Sequence, residues 1–207
     1  MSHRAMAHVR KLILSKKLPA GTVIKPESIG QDLNISTTPA REALQVLASE
    51  GFLKSEVGIG FIVAELSADD IEDIFMIHAF LSGELAARAV DVATDDDINE
   101  LEALHFELLA GARRGNLDLV ENKNHAFHRL ISNLSDSSKI ASFLGLVARY
   151  VPRDFYREVE GWQEASAREH QAIVDAFRNR ERESAREAMA QHIKHAGQLL
   201  AADFDRR

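Results

Sequence analysis

Residues 35–63 read ISTTPAREALQVLASEGFLKSEVGIGFIV, and the fold turns on that stretch. Thr37 and Thr38 are helix-cap residues, Pro39 suits a first helical turn, and Glu42 stands where it can reach back to a capping threonine. Ala43, Leu44, Leu47 and Ala48 then recur at helical spacing until Gly51 stops the run. The spacing predicts a helix over about 38–49. Two short apolar pieces around Gly58 and Gly60 follow, which is the pattern of a hairpin.

Upstream, Met6, Val9, Leu12 and Ile13 place a helix over about 5–17. Pro19 and Gly21 make a turn, and Pro26 opens a short helix to Leu33. Helix, tight turn, helix, ribbon is the order of a winged helix-turn-helix. Its second helix is slim enough to enter a DNA major groove with its N-terminal residues facing base edges. Thr37, Thr38 and Arg41 are placed for that role. Arg41 can take a guanine edge bidentately or hold a phosphate, and Gly58 and Gly60 let a ribbon tip approach the DNA backbone closely. The plainer alternative is a small helical subdomain with Arg41 solvated, and pattern alone leaves it open.

Downstream of Ser67 the pattern is helical throughout. Helices are expected at about 67–92, 95–114, 117–134, 137–157, 162–179 and 182–204, with SADD at 67–70 offering a cap followed by first-turn acids. Six helices with short links make an antiparallel bundle. The expected fold is therefore mainly α, with a winged helix-turn-helix at 1–65, a bundle at 66–207 and a short linker near 64–67.

Charge follows the same division. The first 65 residues hold eight Lys/Arg against six Asp/Glu, and the remainder seventeen against twenty-six. A slightly basic head on an acidic body fits a chain in which only the head meets phosphate. There is no cysteine, so thiolate metal sites and disulfides are excluded. No segment has the long uncharged apolar run of a membrane span. The basic start is broken at Arg10 and Lys11, and reads as an amphipathic helix, not a signal peptide. A cytoplasmic location is expected.

Nine histidines raise the question of metal. His128 shares a helical face with Val120, Asn124 and Ile131, His170 with Ile173, Val174 and Phe177, and His192 with Met189 and Ala196. Each points toward the bundle interior, and Asn124 lies one turn before His128. Three neutral imidazoles and a side-chain oxygen can bind a divalent ion, with positions left for water or a carboxylate. Core histidines satisfied by their neighbours are the competing account, and the residues alone do not decide. His3 and His8 are expected to be exposed and His105 to lie on a core stripe, with His125 and His195 flanking the candidate site.

Leu18, Gly21, Leu33, Ser36, Thr38, Pro39, Arg41, Glu42, Ala43, Leu44, Leu47, Glu50, Gly51, Gly58 and Gly60 together resemble the DNA-binding head of the GntR family of bacterial transcription regulators. The resemblance implies DNA contacts from Ser36, Thr37, Thr38, Arg41, Gly58 and Gly60. Two positions depart from the family pattern: Thr37 and Ile59 stand where basic residues are usual. An all-helical domain behind such a head resembles the FCD type of the FadR-like subfamily. With six helices it is similar to the smaller VanR-like branch.

That type carries Asp-x-x-x-His, a His opening a later helix and a His on the last helix. The matching residues are Asn124, His128, His170 and His192, with Asn124 in place of the usual Asp. The loss of one negative charge favours an anionic effector. The implied cofactor is a divalent metal, zinc first and nickel or manganese as alternatives. Relatives often have Arg and Glu where His78 and Ser82 stand, so Arg149, Arg153 and Tyr156 are candidates for holding an acidic effector beside His78. Surface pairing with Asp154 or Glu158 is the competing role for the two arginines.

The expected function is a homodimeric regulator reading a pseudo-palindromic double-stranded DNA operator under the control of a small carboxylate. The alternatives are a direct metal sensor and a metal-dependent hydrolase. Against the hydrolase, no inward Glu serves as an obvious general base. Glu169 is the nearest candidate, and it adjoins His170 on diverging helix positions.

Overall fold

The computed structural model describes residues 1–152, 156 and 159–206. Three helices, α1 (Ser2–Leu14), α2 (Pro26–Leu33) and α3 (Thr37–Ser49), open the chain. They pack with a three-stranded antiparallel sheet of β1 (Val23–Ile24), β2 (Leu53–Glu56) and β3 (Gly60–Val63), in the order β1-β3-β2. Val9, Ile13, Ile29, Leu44, Leu47 and Phe61 form the centre of the core beneath. The wing registers Lys54 opposite Ile62 and Ser55 opposite Phe61.

Several local expectations need correction. Strand β1 lies in a segment whose sequence reads as a plain turn, because two residues pairing Val23 with Ile62 and Ile24 with Phe61 are too few to show alternation. The α3 N-cap is Ser36, and no side chain makes a capping hydrogen bond there, so neither Thr37, Thr38 nor Glu42 acts as a cap. Helix α1 runs three residues earlier at each end than expected, and Lys16 just beyond it takes a left-handed conformation.

The rest of the chain is a bundle of α4 (Ala68–Val92), α5 (Asp95–Arg113), α6 (Leu117–Leu134), α7 (Ser138–Val147), α8 (Trp162–Arg178) and α9 (Arg182–Arg206). Two starts are fixed by reciprocal capping boxes. Ser67 pairs with Asp70 and Thr94 with Asp97, each hydroxyl accepting from a backbone N–H that would otherwise be orphaned. Helix α7 ends ten residues before the expected limit of 157. Pro152 lacks an N–H and disfavours helix in the residue before it.

Helices α4 and α9 pack along their length. Glycines make the approach possible: a β-carbon at Gly197 would collide with the Phe75 side chain, and one at Gly83 would come within 2.9 Å of the Arg186 carbonyl oxygen. No helix among the described residues is long and apolar enough to cross a membrane.

The two cores touch. Leu14 of α1 belongs to the bundle core, and Leu66 packs on both. Lys16 Nζ lies 4.4 Å above the Phe204 ring. Tyr150, just beyond α7, packs against the core of the first unit and donates its hydroxyl hydrogen to the Glu50 carbonyl at 3.2 Å.

Candidate metal centre and ligand cavity

The fold brings His128 of α6, His170 of α8 and His192 of α9 together, with one nitrogen of each lying within 4.8 Å of the others. His128 and His192 are stacked, with ring centroids 5.1 Å apart, and both meet His170 edge-on. Phe127 stacks flat on His170 at 4.1 Å and fixes its plane.

Protonation suits metal binding. Burial holds His128 and His170 well below the usual imidazole range, and the neighbouring His192 adds to the effect. Both rings are therefore neutral near pH 7 and keep a lone pair. His192 Nδ1 donates to Glu169 Oε2 at 2.9 Å, which leaves Nε2 as the nitrogen turned toward the other two rings. That Nε2 faces His128 Nε2 at 3.2 Å. Two imidazole nitrogens each ~2.1 Å from one ion at a tetrahedral angle stand ~3.4 Å apart, so the pair is already spaced as two ligands.

His170 makes the strongest case for fit. It is fully buried, and neither of its ring nitrogens has a hydrogen-bond partner. Buried polar atoms of this kind are rare in folded proteins and call for an explanation such as an ion. The donor set suits zinc or another divalent transition ion.

Glu169 is a candidate residue of the site that sequence spacing alone discounts. Burial pushes its carboxyl up, but hydrogen bonds from His192 and His195 outweigh this and leave it lowered. The divergence of adjacent helix positions sends His170 toward the cluster and Glu169 onto the far side of His192 and His195. A carboxylate there sets the tautomer and orientation of a ligand histidine. Glu169 is thus committed as an acceptor and is not among the residues lining the cavity, so it is not a general base for a hydrolase.

His128 and His192 open onto a cavity of about 520 Å³. This is within the usual range for small-molecule sites. Asn124 lines it one turn before His128, its Oδ1 accepting a long 3.5 Å hydrogen bond from the buried Ser166. His78, Arg149 and Tyr156 line it as well, so segments around 78, 124–128, 149–156 and 192 converge there. Burial holds His78 down at about 4 and pushes the Tyr156 phenol up. Tyr156 stacks on Trp162 at 5.2 Å. The Arg149 side chain is turned partly back, its Nε donating to the Gly145 carbonyl at 2.7 Å. Arg153, Asp154 and Glu158 lie outside the described residues. His105 is buried in the core, 6.1 Å from His170.

Helix α1 also contributes to the wall, through His3, Ala7 and Arg10. In the sequence Arg10 reads as a break in an apolar run. A sharper signal is present: Arg10 stands four residues after Met6 and three before Ile13, on the buried stripe of α1.

In the first unit, Ser36 at the N-cap and Thr37, Thr38, Arg41 and Gln45 along α3 are all exposed. Among the described residues Arg41 pairs with Glu27 at 3.9 Å, with both side chains more than half exposed. Gly58 sits at the wing tip in open space with φ +80°. Gly60 has φ +127° and lies 3.1 Å, at its β-carbon position, from the Ile24 carbonyl oxygen. The sheet itself thus demands glycine at 60.

Comparison with known proteins gives a consistent result. Residues 1–63 match the bacterial regulatory proteins of the gntR family, and residues 73–195 match the FCD domain. The chain is 24% identical over 190 residues to the uncharacterized HTH-type transcriptional regulator YdhC of Bacillus subtilis, covering 90% of this chain and 85% of that protein. It is 28% identical over 185 residues to the Nta operon transcriptional regulator of Aminobacter aminovorans, covering 87% and 85%. Among solved structures it is similar to E. coli McbR/YncC, with a TM-score of 0.71, 21% identity and 98% of each chain covered.

Proposed function

The chain belongs to the GntR family of DNA-binding transcription regulators, with an FCD domain as its second unit, and on that premise we propose that a small organic acid, held beside a metal in the bundle cavity, controls its binding to an operator. The division of labour is a DNA-reading head at 1–65 and an effector-binding, dimerising domain at 66–207. The observation that carries the reading is the three-histidine cluster opening onto a cavity of about 520 Å³ whose wall includes part of the head.

In the head, Ser36, Thr37, Thr38 and Arg41 would meet base edges and phosphates, and the wing around Gly58 and Gly60 would follow the adjacent backbone. In the bundle, His128, His170 and His192 would hold the metal, with Asn124 beside them and Glu169 fixing the His192 ring. A divalent ion there supplies an open coordination position to a carboxylate oxygen. His78, Arg149 and Tyr156 would bind and orient the rest of the acid.

A homodimer suits a palindromic operator, whose half-sites lie about 34 Å apart per helical turn. Met76, Ile77 and Phe80 form an apolar stripe on α4, exposed by 63%, 52% and 67%, and a second copy of the chain is the occupant that a two-fold reader requires. The work of such a protein is done in the cytoplasm, where its DNA is.

Fluorescence anisotropy on DNA flanking the coding region tests the reading. Binding that weakens with salt and shifts on adding an organic acid is expected; no salt-sensitive binding to any such fragment removes it. The unpartnered nitrogens of His170 also favour a second reading, in which the ion alone is the effector. Titration of DNA binding with zinc in the absence of any acid separates the two.

A further inference from the structure

Arg10 belongs to the head but lines the bundle cavity. Its side chain is nearly fully buried, the residue being 3% exposed. Its Nη2 is paired with the Glu50 carboxylate, while its Nε–H is buried with no partner. Its guanidinium carbon lies 5.7 Å from the centre of the Phe52 ring. A buried guanidinium with an unused donor beside a ligand-sized cavity is a ready anion contact. Among the described residues the cavity's charged lining favours an anion too, with Arg10, Arg129 and Arg149 against Glu121.

Glu50 gives the contact a consequence. It is the residue that closes α3, the helix whose other end faces DNA. Its backbone carbonyl accepts from Tyr150 of the bundle, and Tyr150 packs on Phe52 with ring centroids 5.2 Å apart. Cavity, Arg10, Glu50 and α3 thus form one chain of direct contacts.

We propose that Arg10 is an anion-binding residue of the cavity, its guanidinium donating to a carboxylate of the ligand while Nη2 stays on Glu50, so that the ligand is tied directly to the end of α3. This rests on the organic-acid reading above and adds to it a ligand contact from the DNA-binding head itself. A ligand so held bridges the two units through one guanidinium, with no need for a change relayed through the bundle.

The test uses the full-length, zinc-loaded protein and a panel of acetate, benzoate, succinate and citrate, with affinity measured by calorimetry. Loss of a charge-assisted hydrogen bond in Arg10→Gln should weaken the best acid about tenfold or more. Glu50→Gln removes the internal competitor for the same positive charge and should tighten that acid severalfold. A purely structural Arg10–Glu50 pair predicts that both variants bind less well, or that neither changes, and either result overturns the assignment. Should Arg10→Gln fail to fold, the direction of the Glu50→Gln effect decides alone. Absence of binding by any acid to the wild type overturns the organic-acid reading, and the Arg10 contact with it. Binding unchanged in both variants overturns only the latter.

Discussion

Replacing His170 by phenylalanine should leave the metal-free protein at least as stable while abolishing its response to zinc. The wild-type ring lies buried against Phe127 with one donor and one acceptor unused. Leaving buried polar atoms unsatisfied costs about 1–3 kcal/mol, which the substitution recovers. Phenylalanine keeps the stack on Phe127. Its extra bulk against His128 and His192 costs about 1 kcal/mol or more. The net change in chelator is thus between roughly neutral and about +2 kcal/mol, or a Tm rise of up to about 8 °C at ~2–4 °C per kcal/mol for a chain of this size. With zinc at 100 times its Kd the wild type gains about 2.7 kcal/mol, and the variant gains none because a ligand is gone. Differential scanning fluorimetry with chelator and with zinc reads all four states. A variant destabilised by more than about 2 kcal/mol in chelator refutes the argument from unpaired nitrogens. An equal zinc shift in both proteins refutes the ligand assignment.

Four further outcomes follow from the same geometry. Arg41→Ala should weaken operator binding by about 1–3 kcal/mol in an anisotropy titration while leaving zinc binding intact; an unchanged Kd rules out a base contact. Glu169→Gln should lower zinc affinity about 10–100-fold in competition with a chelating dye, because the carboxylate that orients His192 is lost; an equal affinity leaves Glu169 with no part in the site. Phe80→Glu, on the exposed α4 stripe, should yield monomers in light scattering, and a retained dimer would place the interface elsewhere. His78 is held neutral to about pH 4, against 6.5 when unfolded. Its contribution is therefore fully present above pH 6.5 and is lost as the pH falls from there toward 4. Thermal melts of the metal-free wild type should lose about 1–3 kcal/mol more over that window than those of His78→Gln, and parallel curves would contradict the burial argument.

How much of this is legible in the sequence depends on whether a feature is local. The helix pattern of residues 67–134 and 162–206 is readable to within a few residues because Ser67 and Thr94 sit before first-turn acids and the apolar stripes run for several turns. The two-residue strand β1 carries no period to read, and Pro152 bars α7 from 157 without marking its end at Val147. Likewise, the inward faces of α6, α8 and α9 identify three histidines, since helical phase alone fixes which side of a helix meets the core. Which nitrogen of His192 is free cannot be read that way. It depends on Glu169, whose partners lie 23 and 26 positions along the chain. The part of the cavity wall formed by α1 is least accessible of all, because nothing local in residues 3–10 says which other unit they will touch.

That wall bears on how the two units could communicate. Helix α7 has no buried residues of its own, and Phe143 and Leu146 on it are exposed, so it is the least secured side of the cavity. It also leads into Tyr150, which holds the Glu50 carbonyl. Segments with few buried contacts are those that open and close at low free-energy cost, and a ligand moves an equilibrium only by binding two states unequally. A ligand filling the cavity would touch α7, the histidine cluster and α1 of the head. Packing it against all three costs something different in each arrangement of α7. A difference of about 1–3 kcal/mol, the ordinary size of an allosteric coupling, corresponds to one or two good polar interactions present in one arrangement and absent from the other. The hydrogen bonds at Arg10 and Tyr150 are of that number and kind, and both converge on the same residue, Glu50, at the end of the helix whose other end meets DNA in the proposed reading.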